Sequence, residues 1–143
     1  MGQSFKDLLV WQHAVELTTE IYQLTATFPK AEQFGLTNQM RRAAVSIASN
    51  IAEGYGRATK GEYVQFLGHA RGSCSELETQ IVIAGNLGLG TPPNLQTSDA
   101  LCHDVSRLLS ALMKSLRAQQ QSQLTKVVGG PVPRSPGPLV PFS

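Results

Sequence analysis

Seven apolar or half-apolar residues recur at alternating steps of four and three in the middle of this chain. They are Tyr63, Leu67, Ala70, Cys74, Leu77, Ile81 and Ala84. This spacing keeps all seven side chains on one face of an α-helix, as in helices that pack lengthwise against others. A chain with such a helix must supply partner helices to cover that face. The pattern therefore predicts an all-α fold.

Three further stretches have the same helical periodicity, and none shows the alternation of a β-strand. Their apolar residues are Trp11, Ala14, Val15, Leu17, Ile21, Leu24 and Phe28, then Met40, Ala44, Ile47 and Ile51, and finally Leu101, Val105, Leu108, Leu109, Leu112 and Leu116. Four amphipathic helices with short connections predict an antiparallel, up-down-up-down four-helix bundle. Charged residues make up only 15% of the chain, below the usual quarter, which favours assembly into a homo-oligomer.

Capping residues and helix breakers predict the helix boundaries. Gly54 suits the C-terminal cap of the second helix, and a capping box places the start of the third near Lys60. Glycines and prolines in residues 88–93 interrupt the chain, and Thr97 or Ser98 is predicted to cap the fourth helix. The end of the third helix is apolar on all sides, so we expect it to be covered on more than one side.

The domain prediction divides the chain at residue 120. Residues 1–120 are expected to form the bundle, and residues 121–143, rich in proline and glycine, a disordered tail. The sequence has no secretory signal region and no membrane-length apolar run, which needs about 18 residues. Cys74 and Cys102 have no metal-ligand spacing, so we expect a reduced, cytoplasmic protein without a membrane partner.

A polar stripe runs beside the apolar face of the second helix and continues onto the third. We predict that its members form a structural polar network: Arg42, Ser46, Asn50, Glu53, Ser73 and Glu76. Arg42 and Glu53 are ~16 Å apart on one helix, too far to pair with each other. Counting back from the turn to the third helix gives Glu76 as the partner expected for Arg42, and Lys60 for Glu53. We interpret the stripe as a device that fixes helix or subunit packing.

The sequence lacks the residue patterns of catalysis and of metal binding. The segment Ser73-Cys74-Ser75 lies inside a predicted helix without the context of a nucleophile elbow. A di-iron site in a bundle needs Glu-x-x-His motifs, whereas His103 has only Asp99 one turn before it. We therefore expect no catalytic residue, no metal ion and no cofactor.

Basic residues dominate the last part of the chain. Up to Asp104 there are 7 basic and 10 acidic residues, a net charge of −3, and beyond it there are 5 basic residues and no acidic one. The candidate contacts to nucleic acid are Arg57, Lys60, Arg107, Lys114 and Arg117. One chain has too few of them for firm RNA binding, but in a ring they would repeat and their phosphate contacts would add.

Several motifs resemble those of a bacterial family named for reading frames within intervening sequences of 23S ribosomal RNA genes. They are Phe5-Lys-Asp-Leu, Phe28-Pro29-Lys30, Gln39-Met-Arg-Arg-Ala, Asn50-Ile-Ala-Glu-Gly, and Gly72-Ser73 with Glu76-Leu77. The resemblance implies an antiparallel four-helix bundle that forms a ring, commonly a pentamer, without established enzymatic activity. It also implies a relationship to the accessory protein of diversity-generating retroelements, a pentamer that binds nucleic acid and its partner reverse transcriptase through basic surface.

We therefore predict a non-enzymatic homo-oligomer, expected to be a pentamer, that acts as a binding or scaffold module. Its expected partner is RNA or a nucleic-acid enzyme. The first alternative is a purely structural protein-interaction module without a nucleic-acid role. The second is binding of a small molecule at the polar stripe of the second helix.

Overall fold

The computed structural model describes residues 4–127, and these residues form four long helices and no strand. The helices are α1 (Leu9–Thr25), α2 (Leu36–Tyr55), α3 (Lys60–Asn86) and α4 (Pro92–Val127), with short 3-10 turns at Phe5–Asp7 and Lys30–Glu32. The prediction of an all-α fold with four helices is confirmed. Within the described residues, none of the helices combines the length and hydropathy that a membrane span requires.

One face of each helix contributes to a single apolar core. The predicted heptad series of α3 is buried throughout except for Tyr63, which is half-buried. Both α1 and α3 pack against α2 and α4. Side chains with no exposed surface come from all four helices: Leu17, Ile21, Met40, Ile47, Leu67, Leu77, Val105 and Leu109. Because each Å² of buried apolar surface contributes about 25 cal/mol, this core is the main source of stability.

The two ends of the bundle are built from different connections. At one end Gly90, which has a φ of +74°, lies so close to α1 that an added Cβ would be 2.7 Å from Leu24 Cδ1. The α1–α2 connection, with the exposed Phe34, is at the same end, which we call the Phe34 end. At the other end, the Lys60 end, the α2–α3 turn lies against the last part of α4, where Gly61 is next to Gln120.

The start of α4 differs from the prediction. The helix begins at Pro92 rather than after Thr97 or Ser98, and Ser98 is fully buried inside it. Proline is accepted in the first turn because the N–H that it lacks would have no helical partner there. The Thr91 hydroxyl accepts a hydrogen bond from the backbone N–H of Asn94 at 3.4 Å. Pro92 and Pro93, predicted only to interrupt the chain, therefore form the first turn of α4.

The end of α4 also differs from the prediction, because the helix continues to Val127, past the boundary at residue 120. Polar residues such as glutamine are good helix formers, so a polar composition alone does not end a helix. With 36 residues, α4 is about 54 Å long, and its last turns extend beyond the start of α3. The rest of the predicted tail, residues 128–143, lies outside the described residues.

Gly54 is not the cap of α2, since the helix ends at Tyr55 and Gly56 follows as its C-cap. Gly54 is instead buried against α3. An added Cβ would be 2.8 Å from Phe66 Cβ and 3.0 Å from Tyr63 Cδ1. Glycine at this position therefore allows α2 and α3 to approach closely beside the turn that joins them.

Candidate functional site

Three of the predicted network residues form a hydrogen-bonded cluster where α2 meets α3. Ser46 Oγ and Ser73 Oγ lie 3.0 Å apart. The Asn50 side-chain amide donates to the Ser46 carbonyl oxygen at 2.8 Å and to Ser46 Oγ at 3.0 Å. All three side chains are half-buried. Side-chain hydrogen bonds therefore link the two helices at this point.

The other three network residues have different surroundings. Glu53 pairs with Arg57 at 2.6 Å, and not with Lys60 as predicted. Arg57 comes just after the C-cap of α2, four residues beyond Glu53, and its side chain reaches back to the Glu53 carboxylate. Arg42 and Glu76 line one cleft between α2 and α3, but within residues 4–127 they form no salt bridge, so the predicted pair is absent from the single chain.

The cleft next to the polar stripe is open and has a volume of about 250 Å³. Its lining residues are Gln39, Arg42, Ala43, Ser46, Ser73 and Glu76. Neither Asn50 nor Glu53 is among them. A small-molecule site at the stripe would need a pocket formed jointly by Arg42, Asn50 and Glu53. This cleft is not such a pocket.

Arg41, which the sequence reasoning missed, ties α2 to the end of α1. Its Nε donates to Thr25 Oγ1 at 2.8 Å, and one terminal nitrogen donates to the Tyr22 carbonyl oxygen at 3.3 Å. The guanidinium group also lies over the Tyr22 ring, 4.4 Å from its centre. A cation at the carbonyl end of a helix is favourable. The sequence contained no signal that separates this role from that of the neighbouring Arg42.

The two cysteines lie side by side in the core between α3 and α4. Both are 1% exposed, and the Cys102 thiol donates to the Cys74 carbonyl oxygen at 3.3 Å. Two effects raise the pKa of the Cys102 thiol far above its ordinary value. The larger is hydrogen bonding with the Cys74 side chain, and the next is burial. Only the thiolate is a good nucleophile, so Cys102 is unsuited to covalent catalysis.

The five basic residues predicted to contact nucleic acid differ in their surroundings. Arg57 is paired with Glu53 and stacks over Phe66, and Arg107 is paired with Asp104. Lys114 and Arg117 are exposed on α4, in the half of that helix nearer the Lys60 end. Lys60 lines a groove that neither Lys114 nor Arg117 lines.

This groove, the Lys60 groove, lies between the start of α3 and the end of α4. Its two adjoining parts are lined by Ala58, Thr59, Lys60, Gln119, Gln120, Ser122, Gln123, Leu124 and Lys126. The larger part has a volume of about 440 Å³. None of the lining residues is acidic, although Glu62 is exposed in the same first turn of α3. The groove therefore presents two lysines together with amide and hydroxyl donors.

The start of α3 adds positive potential to the Lys60 groove. Thr59 Oγ1 caps the helix by accepting from the Glu62 N–H at 3.1 Å. The remaining N–H groups of the first turn have no helical partner, and the helix dipole is positive there. Lys126 was not among the predicted contacts, because a sequence alone does not show that residue 126 comes beside residue 60.

Comparison with known proteins gives a family and a fold. Among proteins of curated function, none matches this chain. Among solved structures, the chain is similar to a protein of unknown function from the S23 ribosomal protein family of Bacteroides thetaiotaomicron. The two are 19% identical, the match covers 74% of this chain and 96% of that one, and the TM-score is 0.69, which shows a shared fold. The family model of the 23S rRNA-intervening sequence protein matches residues 6–111, and the chain therefore belongs to that family.

Proposed function

We propose that this protein is a non-enzymatic, homo-oligomeric scaffold that binds RNA through the Lys60 groove. The proposal rests on one observation: Lys60 and Lys126 line the same groove beside the start of α3, and none of the residues that line this groove is acidic. The scaffold is an antiparallel, up-down-up-down bundle assembled into a ring, with five subunits expected from the family resemblance. The proposal assigns it to the cytoplasm, because two free cysteines are typical of a reducing compartment.

The pairing of residues between neighbouring helices supports the antiparallel topology. Ser46, in the middle of α2, contacts Ser73 in the middle of α3. Gly54, near the end of α2, lies against Tyr63 near the start of α3. Residue numbers that increase along α2 thus pair with residue numbers that decrease along α3. The segment 87–91 between α3 and α4 is also too short for a crossover connection.

The chemistry of the Lys60 groove suits the phosphate and sugar groups of RNA. Lysine side chains and helix N-termini bind phosphate, and each neutralised phosphate releases a counterion. Glutamine and serine side chains can donate to phosphate or to the ribose 2′-hydroxyl. Two lysines give one subunit only weak affinity. Repetition of the groove around a ring would multiply the contacts and raise the affinity.

Two unlike apolar surfaces support assembly into a ring. The end of α3 exposes 58% of Val82, 43% of Ile83 and 60% of Leu87. A separate groove between α1 and α2 is lined by Val15, Thr18, Thr19, Tyr22, Val45, Ala48 and Ser49. A contact between two different surfaces is heterologous, and it forms a closed ring when the rotation closes. Arg42 and Glu76, which are exposed and have no salt bridge within the described chain, provide further groups for such a contact.

The RNA proposal is tested by filter binding to a structured RNA at several salt concentrations. We expect affinity to fall with salt with a log–log slope of several units, since each neutralised phosphate contributes about 0.7–0.9. Lys60→Gln combined with Lys126→Gln should lower both affinity and slope. The charge-matched control, Lys6→Gln with Lys30→Gln, changes exposed lysines that do not line the groove and should behave as the unaltered protein.

An absence of RNA binding at low salt, in a preparation whose oligomer is intact, contradicts the RNA proposal. It would instead support the alternative of a protein-interaction module, whose partner is then sought by co-purification with the products of neighbouring genes. Equal losses of RNA affinity in the groove variant and the control variant would show that the binding is general electrostatic attraction and not a property of the groove.

The assembly is tested by mass photometry. A ring of five gives a particle of five times the 15.4 kDa chain. Val82→Glu and Leu87→Glu place a charge on the apolar end of α3 and should shift the protein to smaller species. Leu9→Glu is the matched control, because Leu9 is 56% exposed but belongs to neither apolar surface. A monomer at all concentrations, or an oligomer unaffected by the α3 variants, contradicts this part of the proposal.

A further inference from the structure

Three side chains with metal-binding atoms meet on the surface where α3 packs against α4. His103 Nε2 lies 2.8 Å from Glu78 Oε2 and 3.5 Å from Asp99 Oδ2. One such atom from each residue lies within 4.8 Å of the other two. Asp99 and His103 are one turn apart on α4, and Glu78 comes from α3. All three side chains are partly exposed, so an ion could enter from solvent.

We propose that Glu78, Asp99 and His103 bind a divalent transition-metal ion, for which Zn²⁺ is the natural probe. An imidazole with two carboxylates is a donor set that zinc accepts, with bonds of about 2.0–2.2 Å. In a tetrahedral site with such bonds, neighbouring ligand atoms are about 3.3 Å apart. The two measured distances, 2.8 and 3.5 Å, bracket this value. Because the three side chains are 37–58% exposed, a water molecule can supply the fourth ligand.

The backbone that carries these ligands is firmly held. On α4, Asp99 follows the fully buried Ser98, and His103 follows Cys102, which is 1% exposed. The Cys102 thiol is hydrogen-bonded to the Cys74 carbonyl of α3, one turn before Glu78. The ligand positions on the two helices are therefore fixed by core packing, and only side-chain rotations are needed to close around an ion.

The same geometry has a second reading, in which a protonated His103 forms ion pairs with the two carboxylates and no metal is bound. Only the metal-site interpretation predicts that each chain binds one metal ion. Sequence spacing offered only the pair Asp99 and His103, which is too few ligands for a site. Glu78 provides the third ligand, and it does so only through the packing of α3 on α4.

The test is isothermal titration of Zn²⁺ into the full chain, produced without a histidine tag and first stripped with a chelator. We expect saturable binding of one ion per chain. His103→Gln should lower the affinity at least about 10-fold, since loss of even an outer-shell partner has effects of this size. His69→Gln is the matched control, because His69 is an exposed histidine on α3 outside the cluster.

Three further measurements check this result. Glu78→Gln and Asp99→Asn should each weaken Zn²⁺ binding, and circular dichroism should show unchanged helix content in every variant. Binding of Co²⁺ should give no thiolate-to-cobalt absorption, since the cysteines are buried elsewhere. The proposal is overturned if no saturable binding occurs, if His103→Gln and His69→Gln bind alike, or if the Co²⁺ spectrum reports thiolate ligands.

Discussion

Replacing Gly54 by alanine would place a methyl group inside the closest contact between α2 and α3. The new Cβ would be 2.8 Å from Phe66 Cβ and 3.2 Å from the Tyr63 carbonyl oxygen. Neither atom can move by a side-chain rotation, since one is attached directly to the backbone and the other is part of it. The two helices must therefore separate for the variant to fold.

The expected change is a loss of stability of about 1–2 kcal/mol. Inserting a methylene group into a packed core destabilises by about 1–3 kcal/mol, and we take the upper part of that range, about 2–3 kcal/mol, because neither contacted atom can rotate away. Alanine recovers up to about 1 kcal/mol through its higher helix propensity, which partly offsets that loss. In a domain of this size the net effect lowers Tm by roughly 3–8 °C. Urea unfolding followed by circular dichroism, at one fixed protein concentration, measures it.

Gly72→Ala is the matched control for this prediction. Gly72 lies inside α3, and an added Cβ would meet nothing within 4 Å. Only the propensity effect remains, so the control should be more stable than the unaltered protein by about 0.5–1 kcal/mol. The two variants should thus change stability in opposite directions. A Gly54→Ala protein as stable as the Gly72→Ala protein would refute the argument that close approach requires glycine.

Three further predictions follow from buried polar groups. Asn50→Leu removes both hydrogen bonds to Ser46 and should lower stability by about 1 kcal/mol in urea unfolding; unchanged stability and oligomer size would contradict the packing role of the polar stripe. Ser98→Ala removes a buried hydroxyl that has no hydrogen-bond partner among residues 4–127 and should raise stability by about 1 kcal/mol, whereas a fall in Tm would show that the hydroxyl is satisfied. Cys74 and Cys102 should react with a thiol reagent only after unfolding, and fast reaction of the native protein would disprove their burial.

The apolar periodicity was sufficient to predict the four helices and most of the core. Leu67 and Leu77 belong to a pattern of three heptads, and such a pattern has few interpretations other than a packed helix face. Local signals were less reliable. From the sequence alone, Pro92 and Pro93 indicate a break between helices, although proline is equally suited to the first turn of a helix. Gly54 at the end of a predicted helix indicates a C-terminal cap, because the sequence does not show that an atom of another helix lies 2.8 Å from the position of its missing Cβ.

Contacts between helices were the hardest to predict from the sequence. Counting along the chain brings α2 beside α3 but cannot choose between Arg57 and Lys60, which are three residues apart; it predicts Lys60 as the partner of Glu53, whereas the structure pairs Glu53 with Arg57. The approach of Glu78 to His103 depends on the rotation of α3 against α4, which no spacing within one helix encodes. The same is true of Lys126 beside Lys60.

The unlike ends of the bundle have a consequence for any cyclic assembly. Rotation about a single axis carries each end of a subunit only onto the same end of its neighbour. In a ring whose helices run along the ring axis, all Lys60 grooves would therefore lie together on one side, and all copies of the exposed Phe34 on the other. Such a ring is polar, in the sense that it has a front and a back. It could hold RNA on one side and a protein on the opposite side without competition between them.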